Sequence, residues 1–356
     1  MRLIAWLSSV NLLVIHTTKI DGRLRIFLVA NGVKTAEIQF GNNNKSGLLH
    51  GIWRALITAI QHRNALFIVW AHHQDSNRWL QLTLAILRCK FVLAERLVAS
   101  DASAFVNSRL SIPIKRFVAP RARAVVLNAY SQVNHYRALF HLPAETNVIV
   151  VPNSRPVNAI HERVMDLRTN STALREELGL ADKPTIVCVG RLCEQKNQAS
   201  LITAMAHLQA SDTQLVLIGD GPSRLALEQL AVKVAPGQVT FAFYQVDPII
   251  WLAAADMFVL PSLTEGLPGA LIEAMAAELP CIATNIPGNR ELISDGETGI
   301  LVTCGSPEEL AQAITKLFVN TTTARKFAAA GLQLVREKYG EGIEKAKWQD
   351  LLSAEK

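Results

Sequence analysis

Residues 257–277 read MFVLPSLTEGLPGALIEAMAA. Four apolar residues, Met257 to Leu260, have the length and composition of a buried strand. Pro261 breaks the run, a Gly/Pro-rich turn occupies 266–269, and apolar residues then recur at helical spacing through 271–277. This strand–turn–helix unit does not stand alone. Upstream, 184–189 (PTIVCV) is a continuous apolar, β-branched run ending at Gly190, as expected of a strand covered on both faces. A helix follows over 199–208, a strand over 215–218 (LVLI) closed by Gly219-Asp220-Gly221-Pro222, a helix over 224–234, a strand over 239–243 and a helix over 249–255. Downstream, 280–283 (PCIA) reads as another strand. Strands alternating with helices at this spacing predict a parallel sheet with helices on both faces. In such sheets ligands bind beyond the carboxyl ends of the strands, which is where every loop singled out below lies.

The first half carries the same alternation in weaker form. Segments 11–15, 66–70, 91–93, 124–127 and 148–151 read as parallel strands, and 23–30, 48–60 and 77–87 as helices. Residues 152–156 (PNSRP) suit an interdomain hinge, and a polar helix-forming stretch over 164–178 leads into the second sheet. The expected architecture is α/β with two Rossmann-like domains facing a cleft. Residues 1–155 form a divergent acceptor-side domain. Residues 156–356 form the second domain, whose C-terminal helix packs back on the first. No internal repeat or low-complexity tract is present.

The loop at 265–273 carries the chemistry. Glu265 precedes the turn and Glu273 falls on the second turn of the helix, with seven residues between them. Unpaired amides of 269–271 and the helix dipole make an anion site suited to a diphosphate. Glycine lets a ligand approach the backbone, and a carboxylate one turn further on suits ribose hydroxyls. Arg191 and Lys196, in GRLCEQKN just after Gly190, supply two cations beside another strand end, placed two strands from that helix terminus. Together the two elements form a phosphate clamp. Taken singly, the glutamates also admit a reading as surface residues of an ordinary turn, and the cations as solvated charge.

Composition excludes several classes. Half of the 356 residues are apolar and 19% charged, enough for two sizeable cores. No apolar run approaches the roughly 20 residues of a membrane-spanning helix. The apolar stretch 1–15 is interrupted by Arg2, Ser8, Ser9 and Asn11 and lacks a small-residue cleavage pattern, so it reads as a strand or helix of the fold. Five scattered cysteines without a CxxC pair argue for a reducing compartment and against a disulfide or zinc framework. The formal charge of +6 fits a soluble protein with a basic face, or attraction to anionic headgroups or phosphorylated ligands. No basic run interleaved with aromatics points to nucleic acid.

In order, GRLCEQKN…LITA, LVLIGDGPSRLALEQLA, VLPSLTEGLPGALIEAMA and GNRELISDGETGILV resemble the donor domain of family 4 glycosyltransferases, retaining enzymes of GT-B fold. The likeness runs from about 174 to 318. It implies that Arg191 and Lys196 hold a diphosphate after Gly190, and that Glu265 lies by the transferred sugar. Gly266, Leu267, Pro268, Gly269 and Ala270 line sugar and phosphates, Glu273 binds ribose, and Gly288 and Glu291 lie near the donor. The base stacks near residues 243–245, with Tyr244 the candidate, although AFYQ stands where the family commonly has Leu-Gly. Glu278 replaces the glycine that usually ends the signature helix. In the first half, Ala94-Glu95-Arg96 and VIVVPN resemble family elements, and the loop 17–22 (TTKIDG) stands where a glycine-rich loop is usual, with Gly22 its one glycine. His72 or His73 (VWAHHQD) matches a histidine near sugar or acceptor, with His72 placed among the catalytic residues and His73, Glu95 and Arg96 at the acceptor.

The resemblance implies a retaining transfer from a nucleotide-diphosphate sugar. No Asp-x-Asp occurs in the chain, so metal independence is expected, with no resident cofactor. The expected acceptor is a glycan or lipid-linked glycan of a bacterial surface polysaccharide (lipopolysaccharide, O-antigen or capsule). The expected place is the cytoplasm or the inner face of the membrane, in peripheral contact with anionic lipid. Two other readings stay open at this level: a sugar-nucleotide epimerase of the same architecture, and an inactive donor-binding relative.

Overall fold

The structure, a computed structural model, describes residues 13–16, 34–37, 52–53, 55–57, 59–61, 66–71, 78–95, 111–208 and 212–353. By internal contacts the chain divides into two compact units. One comprises Met1–Asn128 and Gln132–Val150, the other Ala129–Ser131 and Val151–Lys356.

Among its described residues the first unit holds two parallel sheets. Strands β1 (Leu13–His16) and β2 (Lys34–Glu37) pair in register Leu13 to Lys34. The second sheet runs β3 (Leu66–Ala71), β4 (Lys90–Glu95), β5 (Ala124–Leu127) and β6 (Val148–Val150) in simple sequence order. Helix α1 (Arg78–Ile86) joins β3 to β4, α2 (Ser111–Val118) precedes β5, and α3 (Ser131–Phe140) precedes β6. Phe91, Leu93, Val125 and Leu127 of the central strands pack with Leu84, Tyr136 and Phe140 in the core of this unit. Strand β2 was not foreseen, because KTAE carries neither alternation nor an apolar run. The expected helix at 23–30 lies outside the described residues, and 48–60 is helical where it is described.

The second unit opens with α4 (Val157–Arg168) and α5 (Ser171–Glu177), two helices where a single polar stretch was expected. Then come β7 (Thr185–Val189), α6 (Gln198–His207), β8 (Gln214–Ile218), α7 (Arg224–Val234), β9 (Val239–Phe241), α8 (Ile249–Ala254), β10 (Met257–Leu260), α9 (Gly269–Ala276) and β11 (Cys281–Thr284). The one-turn helix α10 (Pro287–Arg290), β12 (Ile300–Val302), α11 (Pro307–Val319), α12 (Thr321–Tyr339) and α13 (Glu341–Ser353) complete it. The six parallel strands lie in the order β12-β11-β10-β7-β8-β9. The sheet therefore grows one way from β7 through β9 and the other way from β10 through β12.

The apolar strand runs follow from burial on both faces. Ile186 and Cys188 of β7 enter one core with Leu215, Leu217 and Val259, while Val187 enters the other with Val216, Phe258 and Leu260. Alternate residues of a strand point to opposite faces, so a strand sandwiched between helix layers has no polar side. Each such side chain, fully buried, contributes roughly 1.5–3 kcal/mol. Helix α9 buries Leu271, Ile272, Ala274, Met275 and Ala276 against α4, α12 and the sheet, which leaves Glu273 only partly covered. It ends as the sequence implies: Glu278 stands in the left-handed region with φ 53°, donating its N–H to the Met275 carbonyl at 3.0 Å.

Candidate active site

Two loops at adjacent strand ends are locked together. After β7, Gly190 donates its N–H to the Ile218 carbonyl at 2.9 Å, and the chain turns through Glu194–Lys196 to Asn197, itself left-handed at φ 49°. After β10, the chain runs through Ser262 to Glu265. Lys196 donates to the Glu265 carboxylate in an ion pair, and the Ser262 hydroxyl donates to the same oxygen at 2.7 Å. Gln195 donates through Nε2 to the Thr264 carbonyl at 3.0 Å and accepts at its own carbonyl from the Leu263 N–H at 2.8 Å. The two elements were expected two strands apart. In fact β7 and β10 are hydrogen-bonded neighbours, and they flank the point where the strand order reverses. That switch point is where open α/β sheets bind ligands.

A buried polar chain supports this junction. Thr284 donates from its hydroxyl to the Ser262 carbonyl at 2.5 Å, and Asn289 donates from Nδ2 to the Thr284 carbonyl at 2.8 Å. Gly288 has a packing role: a Cβ there would lie 2.5 Å from the carbonyl oxygens of both Glu265 and Gly266. The resemblance placed Gly288 beside the donor; its own contacts are with the backbone that carries Glu265. Beneath the pair lies Cys188, whose thiol is pushed up to about 12 by burial, so it is an inert core group rather than a nucleophile.

Helix α9 starts beside this junction. Pro268 precedes it and no side chain caps it, so its first amides keep the orphan donors and positive dipole end that favour an anion. Gly266, Leu267 and Pro268 are buried, Leu267 as part of the core, while Gly269 and Ala270 are partly exposed at the helix start. Glu273, one turn in, accepts from Arg155 Nε at 2.6 Å. Arg191 is exposed and has no side-chain partner among the described residues, while its carbonyl accepts from Gln198 at 2.9 Å. Of the expected pair, Arg191 is thus the cation without a side-chain partner among the described residues.

The remaining candidates fall into three groups. Glu291 accepts from the backbone N–H of Tyr130 at 3.1 Å and of Ser131 at 2.6 Å, all in the second unit. Its carboxylate is occupied by amides, and its carbonyl receives the Tyr339 hydroxyl at 3.2 Å. Tyr244 is 71% exposed beside Phe243, whose ring lies 3.5 Å under the Arg224 guanidinium. In the first unit, Glu95 ends β4 but is only 2% exposed. It pairs with Lys115 at 2.5 Å and receives the Tyr136 hydroxyl at 3.4 Å, while Lys115 also donates to Gln81 at 3.0 Å. Burial and then the Glu95 charge push the Tyr136 phenol well above its usual range, so it stays a neutral donor. Glu95, expected at an acceptor, is turned into the core with its partners supplied by the fold. His72, His73, Arg96 and the loop 17–22 with Gly22 lie outside the described residues.

Sequence reasoning missed Arg155, which it had grouped with the hinge, and the Thr284–Asn289 support. No local signal marks either one. Arg155 meets Glu273 across 118 positions of chain.

Comparison with known proteins bears on the family and the fold. Residues 170–333 match the profile of the family described as glycosyl transferases group 1. The lipopolysaccharide core biosynthesis glycosyltransferase LpsE of Rhizobium meliloti is 35% identical over 175 residues, which is 49% of this chain and 51% of that protein. A GDP-mannose-dependent alpha-(1-6)-phosphatidylinositol monomannoside mannosyltransferase of Mycobacterium tuberculosis is 32% identical over 191 residues, 50% of each chain. The chain spans about half the length of the curated relatives it matches. Over nearly the whole chain, HepE of Anabaena in complex with UDP superposes with a TM-score of 0.82 at 20% identity, covering 99% of this chain and 95% of that one. Sucrose-phosphate synthase of Thermosynechococcus elongatus gives 0.73 at 19% identity, covering 99% and 92%. The fold is the GT-B fold, a parallel-sheet α/β architecture.

Proposed function

We propose that this protein is a retaining, metal-independent glycosyltransferase that moves a sugar from a nucleotide-diphosphate donor to a glycan or lipid-linked glycan of the bacterial surface. The observation that carries the reading is the junction of the β7 and β10 loops. It sets a free cation, a fixed Lys–Glu pair and an uncapped helix start around one strand-order switch point. A diphosphate docked there meets opposite charge on both sides. In the reaction the bond from the anomeric carbon to the β-phosphate oxygen breaks. The acceptor oxygen bonds that carbon on the same face, and the acceptor proton passes to the departing diphosphate. Arg191, Lys196 and the α9 amides stabilise the charge that develops on that leaving group. Glu265 holds Lys196 in place, and attack on the same face as the departing diphosphate needs no protein nucleophile. The free oxygen of Glu273 suits ribose hydroxyls, and the exposed Phe243 and Tyr244 suit a base.

Support for the donor class comes from the matched relatives, one named as GDP-mannose-dependent, and from HepE, solved with UDP. Support for a surface-glycan acceptor comes from LpsE, named for lipopolysaccharide core biosynthesis. Among the described residues no helix is long and apolar enough to cross a membrane. The excess of basic residues fits peripheral attachment at the inner membrane face. A thermal-shift screen against nucleoside diphosphates and their sugars tests the reading, since a ligand of the native state alone raises stability with concentration. Stabilisation by one nucleotide class, lost in Arg191→Ala, is expected. A flat response across the panel overturns the proposal.

A further inference from the structure

Arg155 stands in an electrostatically odd place. A Cβ on Gly269 would lie 2.0 Å from its Nη2 atom, so the guanidinium lies directly over the first residue of α9. A cation beside a helix N-terminus faces the positive end of the dipole, which is unfavourable. The side chain is not there by default of a loose backbone. The backbone N–H of Arg155 donates to the Tyr339 carbonyl at 2.9 Å, and its backbone carbonyl accepts from the Val157 N–H at 2.8 Å. The preceding Ser154 donates through its N–H at 3.1 Å and its hydroxyl at 3.0 Å to one oxygen of Glu344 on α13. The fold therefore aims a tethered arginine at this helix start.

Its donors are only partly used. Nε donates to Oε1 of Glu273 at 2.6 Å and Nη1 to the Ser154 carbonyl at 3.0 Å. Among the described residues Nη2 has no acceptor, and the second oxygen of Glu273 has no donor. The side chains of Arg155 and Glu273 are 32% and 22% exposed, within reach of solvent and of a ligand. An anion at the helix start would resolve the clash of guanidinium and dipole, and would take the idle donors of Nη2. Arginine presents its donors as a fixed fork, so one face can hold a carboxylate while another meets a phosphate.

We propose that Arg155 is a further donor-site residue: its Nη2 edge binds the diphosphate at the α9 start while its Nε holds Glu273 with one oxygen turned free for the ribose. The inference rests on the donor reading above and adds a third cation to Arg191 and Lys196, one drawn from a segment that carries no matching motif.

Calorimetric titration of the full chain with UDP and GDP tests it, in wild type, Arg155→Ala, Arg155→Gln, Glu273→Gln and the double variant Arg155→Ala/Glu273→Gln. Unfolding curves report whether each variant is folded, and Arg155→Gln keeps the length and part of the hydrogen bonding if the alanine variant is not. Wild type is expected to bind one nucleotide, and loss of Arg155 to weaken it by ten- to a hundredfold. The weakening is expected to persist in the Glu273→Gln background, because the phosphate contact does not pass through that carboxylate. Loss of the Arg155 effect in that background reduces the residue to a holder of Glu273 and overturns the phosphate contact. Unchanged or tighter binding by both Arg155 variants overturns the inference alone. A wild type that binds neither nucleotide overturns the donor reading and this one with it.

Discussion

Each unit of the molecule places a glutamate–lysine pair at the carboxyl end of a parallel strand, and the two pairs are built differently. In the first unit Glu95 and Lys115 have side chains only 1% and 8% exposed, and Tyr136 and Gln81 take up their remaining hydrogen bonds. In the second, Glu265 is 8% exposed but Lys196 is 21% exposed, so the pair keeps one side open to solvent. A sealed pair serves the fold, because desolvated charges are tolerated only when fully matched. A pair with one open side can answer a ligand. The same two residue types beyond strand ends thus differ in solvent access, one pair sealed and the other open on one side.

Variants can break this contrast. Lys115→Met should destabilise the protein by about 3–5 kcal/mol, since it strands a buried carboxylate, while adding Glu95→Leu should recover most of the loss. Thermal unfolding reads both, and a silent single variant would place Glu95 outside a sealed core. Lys196→Ala should act the other way, lowering transfer roughly 10²- to 10³-fold with a smaller change in unfolding temperature. A Lys196 variant that unfolds readily yet turns over normally would reverse the assignment of the two pairs. Gly288→Ala sharpens the comparison further. The new methyl meets the Glu265 and Gly266 carbonyls, so a loss of about 1–3 kcal/mol is expected from overpacking, with donor affinity falling alongside. The smallest effect belongs to Glu278→Gly, which should gain about 1 kcal/mol by relieving a left-handed residue. Denaturant titration checks it, and a loss would mean that the Glu278 contacts with its neighbours outweigh the backbone strain.

Legibility differed between the units for a physical reason. In the second unit, β10 and α7 begin and end where apolar runs and turn residues place them. Strands buried on both faces leave an unbroken apolar signal. In the first unit, β2 carries KTAE and left none. Of the candidate site, Arg191, Lys196, Glu265 and Glu273 stood out as residue types at telling spacings. The assignments of Glu95 and Gly288 rested on resemblance to a motif. The structure gives one a core pairing and the other a backbone contact.

The amino-acid sequence by itself determined the strand–helix alternation, the parallel sheets, and the Gly/Pro turn that starts α9 without a cap, because periodicity and turn chemistry act over a few residues. Only the tertiary structure decided that β7 lies against β10, that Lys196 reaches Glu265 across 69 positions, and that Arg155 reaches Glu273 across 118. Strand order and long-range pairing depend on how whole helix and sheet faces exclude water together, and no short window of sequence records that sum.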